Sequence, residues 1–150
     1  LNVVANNATG YNLTIAFDDS VAMQQDGGTG SIANFNPDSA SNGDYVMDIS
    51  ATTQEHAFAY SVSGIATDID SKFLSDGATT CDSGTSSIVG TCWYNIADAT
   101  NDVTLVDRAT STPTGGATTT INFQVQVASG STLETGFYTA TSTITATENS

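Results

Sequence analysis

Hydrophobic and polar residues alternate with a period of two along most of this chain. In the stretch GYNLTIAF, Tyr11, Leu13, Ile15 and Phe17 share one face, and Asn12, Thr14 and Ala16 share the other. YVMDI aligns Tyr45, Met47 and Ile49, and HAFAYSV aligns His56, Phe58, Tyr60 and Val62. INFQVQV sets Ile121, Phe123, Val125 and Val127 opposite Asn122, Gln124 and Gln126. Each pattern predicts a half-buried antiparallel strand. NVVA, TCWYNI and DVTLV are shorter candidates. No stretch carries the apolar stripe of an amphipathic helix.

Turn chemistry separates these runs. Residues 24–30, 36–44, 75–85 and 111–116 are rich in Gly, Asp, Asn, Ser and Pro and read as loops, with Asn42-Gly43 suited to a type I′ turn. The expectation is all-β: one Ig-like antiparallel β-sandwich domain over residues 1–150, of about seven or eight strands with Greek-key connections. The predicted core is Tyr11, Leu13, Phe58, Tyr60, Phe123, Val125, Tyr138 and Ile144. The closing stretch TGFYTATSTITAT, 135–147, reads as one long strand with Tyr138, Ala140, Ser142, Ile144 and Ala146 inward and a row of Thr outward. That outer face has no charge, and Lys or Pro, which usually guard a sheet edge, are missing from it.

Charge changes the picture of partners. Two basic residues, Lys72 and Arg108, stand against 16 acidic ones, for a net charge of −14. Such a surface repels a phosphate backbone and an anionic bilayer, so nucleic acid and membrane insertion are excluded as expectations. The chain starts at Leu1 without Met and inside a strand pattern. It is read as a processed product whose leader, and with it a first strand, lies upstream. An extracellular, cell-surface location is expected.

Cys81 and Cys92 bracket a turn-rich loop. A disulfide there fits an oxidising compartment and would stabilise by about 2–3 kcal/mol. Asn7 and Asn12 open two glycosylation sequons. Asp68, Asp70, Asp76 and Asp82 crowd one loop region. The spacing fails the EF-hand rule, because Lys72 takes a ligand position and no Glu closes the loop, so solvated carboxylates are the plain reading. A weak calcium site, the one cofactor considered, is the sharper reading; Asp18-Asp19 and Asp98 with Asp102 are further acidic pairs. The lone His56 lies in phase with Phe58 and Tyr60 and is read as structural. Ser83, in CDSGT, lacks the rest of a protease nucleophile motif. No catalytic set is assigned, and the chain is read as non-enzymatic. Trp93 and Tyr94 have two readings: a Trp packed on the disulfide in the core, or an exposed aromatic platform for a glycan.

Two end segments carry a resemblance. VVANNATGYNLTI, together with INFQVQVASGSTLETGFYTATSTITAT, resembles secreted bacterial surface domains of the WxL-like kind. GFYTATSTITA is also similar to the last strand of fimbrial and spore-coat-U-like subunits. The WxL signature itself is absent, since Trp93-Tyr94-Asn95 lacks the Leu. The resemblance implies an extracellular structural or adhesive module, and some such subunits complete their sandwich with a strand donated by the next copy. The function expected from sequence is therefore a subunit of a cell-surface filament or pilus, a homopolymer built by strand addition or edge packing. The alternative is a monomeric adhesion or carbohydrate-binding module using Trp93 and Tyr94.

Overall fold

The computed structural model describes residues 1–18, 21–37, 45–51, 53–96 and 102–150. The Asn42-Gly43 turn, Asp19 and Asp98 lie outside the described residues. The fold is all-β. Its strands are β1 (Asn2–Val3), β2 (Tyr11–Phe17), β3 (Met23–Gln25), β4 (Ser31–Asn34), β5 (His56–Ser63), β6 (Val103–Arg108), β7 (Ala117–Thr118), β8 (Thr120–Val127), β9 (Tyr138–Thr139) and β10 (Ser142–Glu148). Single 3₁₀ turns occupy Ile49–Ala51 and Ser71–Phe73. One sheet runs β10-β2-β6 and the other β8-β5-β4-β3-β9; β1 and β7 form a two-stranded ladder.

The alternation read in β2 is realised: Tyr11, Leu13, Ile15 and Phe17 are buried, and the residues between them are half-buried. They meet Phe58, Tyr60 and Val62 of β5 from the opposite sheet, with Phe73, Ile96, Leu105 and Val106 around them. Gly10 lets β2 start where it does. Its φ is +78°, and a Cβ there would sit 1.9 Å from the Arg108 carbonyl oxygen, so only glycine fits.

β5 is buried on both faces, not one. Its second face presents Ala57 and Ala59 to a separate cluster of Phe35, Met47, Ile49 and Trp93. Small residues on that face let the 45–51 segment lie close. YVMDI is therefore not a strand. Met47 and Ile49 are buried as predicted from alternation, but the backbone bends and enters a 3₁₀ turn. TCWYNI contributes one antiparallel bridge, Tyr60 to Tyr94, in place of a strand. The two sheets are not wholly antiparallel, because β4 pairs parallel with β5 through Ala33–Ala57 and Asn34–Phe58. Part of the 24–30 loop belongs to the β3–β4 hairpin, which its Gly-rich composition concealed.

The 135–147 stretch also corrects its reading as one strand. Tyr138 and Thr139 pair with β3 in the five-stranded sheet, while Ser142–Glu148 pairs with β2 in the three-stranded sheet. The chain changes sheets at Ala140 and Thr141. Four predicted core residues are not buried: Phe123, Val125 and Ile144 are exposed, and Tyr138 is half-buried.

The Cys81–Cys92 disulfide forms across a Cα–Cα distance of 5.5 Å, with both residues buried. It closes a loop that Ser75 also ties down by bridges to Cys81 and Ser86.

Three stability outcomes follow from this packing and from the disulfide. Leu13→Ala should cost about 3 kcal/mol by leaving a core cavity. Val127→Ala, on the exposed face of β8, should cost no more than about 0.5 kcal/mol, both read by urea denaturation of the monomer. Reduction of Cys81–Cys92 should lower stability by about 2–3 kcal/mol, read as a shift of the same midpoint with and without thiol.

Candidate functional site

β8 carries a feature that sequence periodicity does not show: its apolar face, shared with Phe58, Tyr60 and Val62 of β5, is only partly covered. Asn122, Gln124, Gln126 and Ile121 are half-buried, while Phe123 is 49%, Val125 41% and Val127 47% exposed. The cause is a side-chain amide. Gln126 accepts from the Ile49 N–H at 3.1 Å and donates to the Met47 carbonyl at 2.6 Å, which fastens the 45–51 segment over the polar face. Asn122 reaches Ser61 Oγ at 3.5 Å on that side. The apolar face looks the other way, past the edge of the three-stranded sheet.

That face opens on a groove of about 340 Å³ lined by Phe17, Met23, Phe58, Phe123, Tyr138 and Ser142. Phe58 and Phe123 stack at 5.8 Å with their planes 10° apart, and Phe17 stands edge-on to both, at 6.4 and 6.5 Å. The far rim is β10. Ser142, Ile144 and Ala146 oppose Phe17, Ile15 and Leu13, so they share the inner face of that sheet, yet Ile144 is 39% exposed.

Backbone polarity along both rims follows from the ladder. The Ala128 N–H donates to the Glu55 carbonyl, continuing the register in which Val127 opposes His56. Bonding residues alternate along an antiparallel strand, so the even residues of β8 face β5. The N–H and C=O of Ile121, Phe123, Val125 and Val127 point to the free side and have no partner among the described residues. On β10, Asp18 N–H donates to Thr141 O and Asn149 N–H to Gly10 O, so the odd residues face β2. Ser142, Ile144 and Ala146 thus present their backbone groups outward.

The residues proposed from sequence for other chemistry are dispersed. Asp68 pairs with Arg108, whose other nitrogens donate to the carbonyls of Thr110 and Ser111. Asp70 accepts from the Lys72 N–H and caps the 3₁₀ turn Ser71–Phe73. Asp82 accepts from Ser71 Oγ. Asp76 accepts the N–H groups of Ala78, Thr79 and Thr80, and these three bonds hold its carboxyl down at about 2. Among the described residues, no three His, Cys, Asp or Glu side chains converge on a point that would hold a metal ion. The four aspartates act as capping and pairing groups, each with its own partner.

Trp93 is 6% exposed, packed with Phe35, Met47 and Ile49, and its Nε1 donates to the Gly90 carbonyl. Tyr94 is half-buried with its ring edge-on to Phe73 at 5.1 Å, and burial pushes its phenol well above the usual range. Of the two readings of these rings, the packing agrees with the structural one: Trp93 lies in the core and Tyr94 lies against Phe73. Asn7 is half-buried and its Nδ2 donates to Thr9, Gly10 and Asn149. A sugar on that nitrogen would break this set of bonds. Asn12 lies half-buried within β2 between Thr147 and Asp107 on its neighbours. His56 is half-buried at the start of β5.

No family model, curated protein or solved structure matches this chain. The unguarded edge of 135–147 was within reach of the sequence through its missing charge. The exposure on the apolar face of β8 was not, because it depends on Gln126 meeting a segment far away in the chain.

The Asp76 interactions give a pH dependence with a fixed sign. A carboxyl depressed in the folded state contributes stability above its ordinary pKa, and loses it as pH falls toward the folded value. The melting-temperature difference between wild type and Asp76→Asn should be constant near neutrality and vanish as pH is lowered from about 4 to about 2.

Proposed function

We propose that this chain is an extracellular structural subunit, one copy in a cell-surface filament that assembles through sheet margins. The observation that carries this reading is the pair of edge strands β8 and β10, each paired on one side only among the described residues, with no charge in β8 and only the terminal Glu148 in β10, flanking an aromatic groove. An edge strand left with unpaired backbone groups is a template for another strand. Charged side chains normally guard such an edge, and none lies between Arg108 and Glu134. A chain with a net charge of −14 otherwise holds its copies apart, so the neutral margin is where they approach at least cost. A main-chain interface also suits a repetitive polymer, since it needs no further specific ligand. The disulfide agrees with an oxidising location. Among the described residues no helix is long and apolar enough to cross a membrane.

Negative-stain microscopy of the purified protein tests the reading. Extended fibres of uniform width that dissolve on dilution are expected. A single monomeric species by light scattering at every concentration and salt would reject it.

A further inference from the structure

We propose that Asp26 is a site of covalent modification, isomerising to isoaspartate through attack of the Gly27 nitrogen on its carboxyl, and that Thr139 restrains the reaction. The modification needs only water and does not depend on assembly between copies.

Two Asp-Gly steps lie within the described residues, Asp26-Gly27 and Asp76-Gly77. Glycine after aspartate suits this chemistry, because no Cβ screens the nitrogen and the backbone is free to rotate it onto the carboxyl carbon. Both glycines have positive φ, +71° at Gly27 and +83° at Gly77, and open space around them. The two steps differ in their hydrogen bonds.

At Asp76 both reacting groups are held. One carboxylate oxygen accepts the N–H groups of Ala78, Thr79 and Thr80. The nucleophile, the Gly77 N–H, donates to Ser75 Oγ at 3.3 Å. The carboxyl is held down at about 2, so near neutrality it stays ionised, the form that gives up an oxygen least readily. Bridges from Ser75 to Cys81 and Ser86, with the disulfide, fix the loop around it. At Asp26 the nucleophile is free and the carboxylate is held once. Asp26 and Gly27 are the exposed central pair of a turn closed by the Gly28 N–H on the Gln25 carbonyl. The Gly27 N–H has no partner among the described residues. The Asp26 carboxylate accepts a single bond, from Thr139 Oγ1 at 2.7 Å.

The Gly27 nitrogen bonds to Asp26 Cγ and loses its proton. The Cγ–O bond breaks, and one carboxyl oxygen leaves as water with that proton and a second from solvent, closing a succinimide. Water then reopens the ring and the second proton returns to solvent. Opening at the main-chain carbonyl leaves the Cγ amide in the chain, so the backbone gains one carbon and the former main-chain carboxyl becomes the side group. The turn where this happens joins the β3–β4 hairpin to β9. Gln25 Nε2 donates to the Thr135 carbonyl at 3.1 Å and the Asp26 N–H to the Phe137 carbonyl at 2.9 Å, beside a ladder of only two pairs, Gln24–Thr139 and Gln25–Tyr138. An added backbone carbon moves the carboxylate off Thr139 and disturbs that ladder. Met23 and Tyr138 line the aromatic groove, so the change reaches that surface.

The test is warm incubation of the intact protein near neutral pH, followed by peptide mapping with electron-transfer fragmentation, which distinguishes isoaspartate from aspartate. Isoaspartate should accumulate at position 26 at least about tenfold faster than at position 76. The reduced chain in denaturant should react at comparable rates at both. Deamidation at Asn42-Gly43, outside the described residues, changes the mass and is thereby counted separately. Thr139→Val should speed the reaction at 26 and leave 76 unchanged, with an unchanged melting temperature showing that it folds. In the isomerised fraction, the Gln25 and Asp26 amides, bonded to Gly30 O and Phe137 O, should exchange faster with solvent. Equal rates at 26 and 76 in the folded protein overturn the assignment. So does the absence of isoaspartate at 26 over a period in which the denatured chain forms it, or the same preference in the denatured chain, which would trace it to local sequence. A folded Thr139→Val that reacts at the wild-type rate overturns the restraint by Thr139, and unchanged exchange at Gln25 and Asp26 overturns the effect on β9.

Discussion

The burial of β5 on both faces is the constraint on which the rest of the structure depends. Its backbone is hydrogen-bonded on both sides, to β8 on one and to β4 and Tyr94 on the other. Large residues on one face, Phe58, Tyr60 and Val62, build the main core against β2. Alanines on the other face leave room for Phe35, Met47, Ile49 and Trp93 to lie close against the strand. A strand that is covered twice cannot slip in register without exposing one cluster and burying polar groups of the other. The positions of β8 and of the 45–51 segment are both consequences of this.

Covering the second face settles which side of β8 remains open. Buried backbone groups need partners, and the Met47 carbonyl and Ile49 N–H find theirs in Gln126. Gln126 is held toward that cluster, and by the alternation of a strand Phe123, Val125 and Val127 must face the other way. The three-stranded sheet is not wide enough there to cover them, so the aromatic groove stays accessible from the β8–β10 side. Phe123, Val125, Val127 and Ile144 lie along one margin that also has unpaired amides, whereas Leu1, Val4, Val46, Ile65, Ile88, Val89 and Phe137 are exposed elsewhere; a grouped apolar margin of this kind is the feature that marks an interaction surface.

The economy of charge points in the same direction. Both basic residues are engaged internally. Arg108 holds Asp68 and two carbonyls at the end of β6, and Lys72 lies 5.4 Å over the Phe73 ring near Asp70. Burial lowers the pKa of Lys72, an effect that Asp70 and Asp82 partly offset. The aspartates in the loop around the disulfide are occupied in turns and caps. No cation is left over to guard an edge.

The sequence by itself determined the class and much of the scaffold. Alternation identified β2, β5, β6 and β8 because a strand half-covered by a core must place apolar residues at every second position. The spacing of Cys81 and Cys92 identified the disulfide, and the uncharged outer face of 135–147 marked an unguarded edge. Only the tertiary structure decided the rest. Periodicity says which residues share a face, but not which face is covered, so it could not show that Gln126 turns toward the core and Phe123 toward the groove. It also could not divide 135–147 between two sheets, since the break at Ala140–Thr141 depends on where β3 and β2 lie. Strands as short as β3, β7 and β9 carry too few residues to show a period, and the aspartates revealed their partners only once distant loops were brought together.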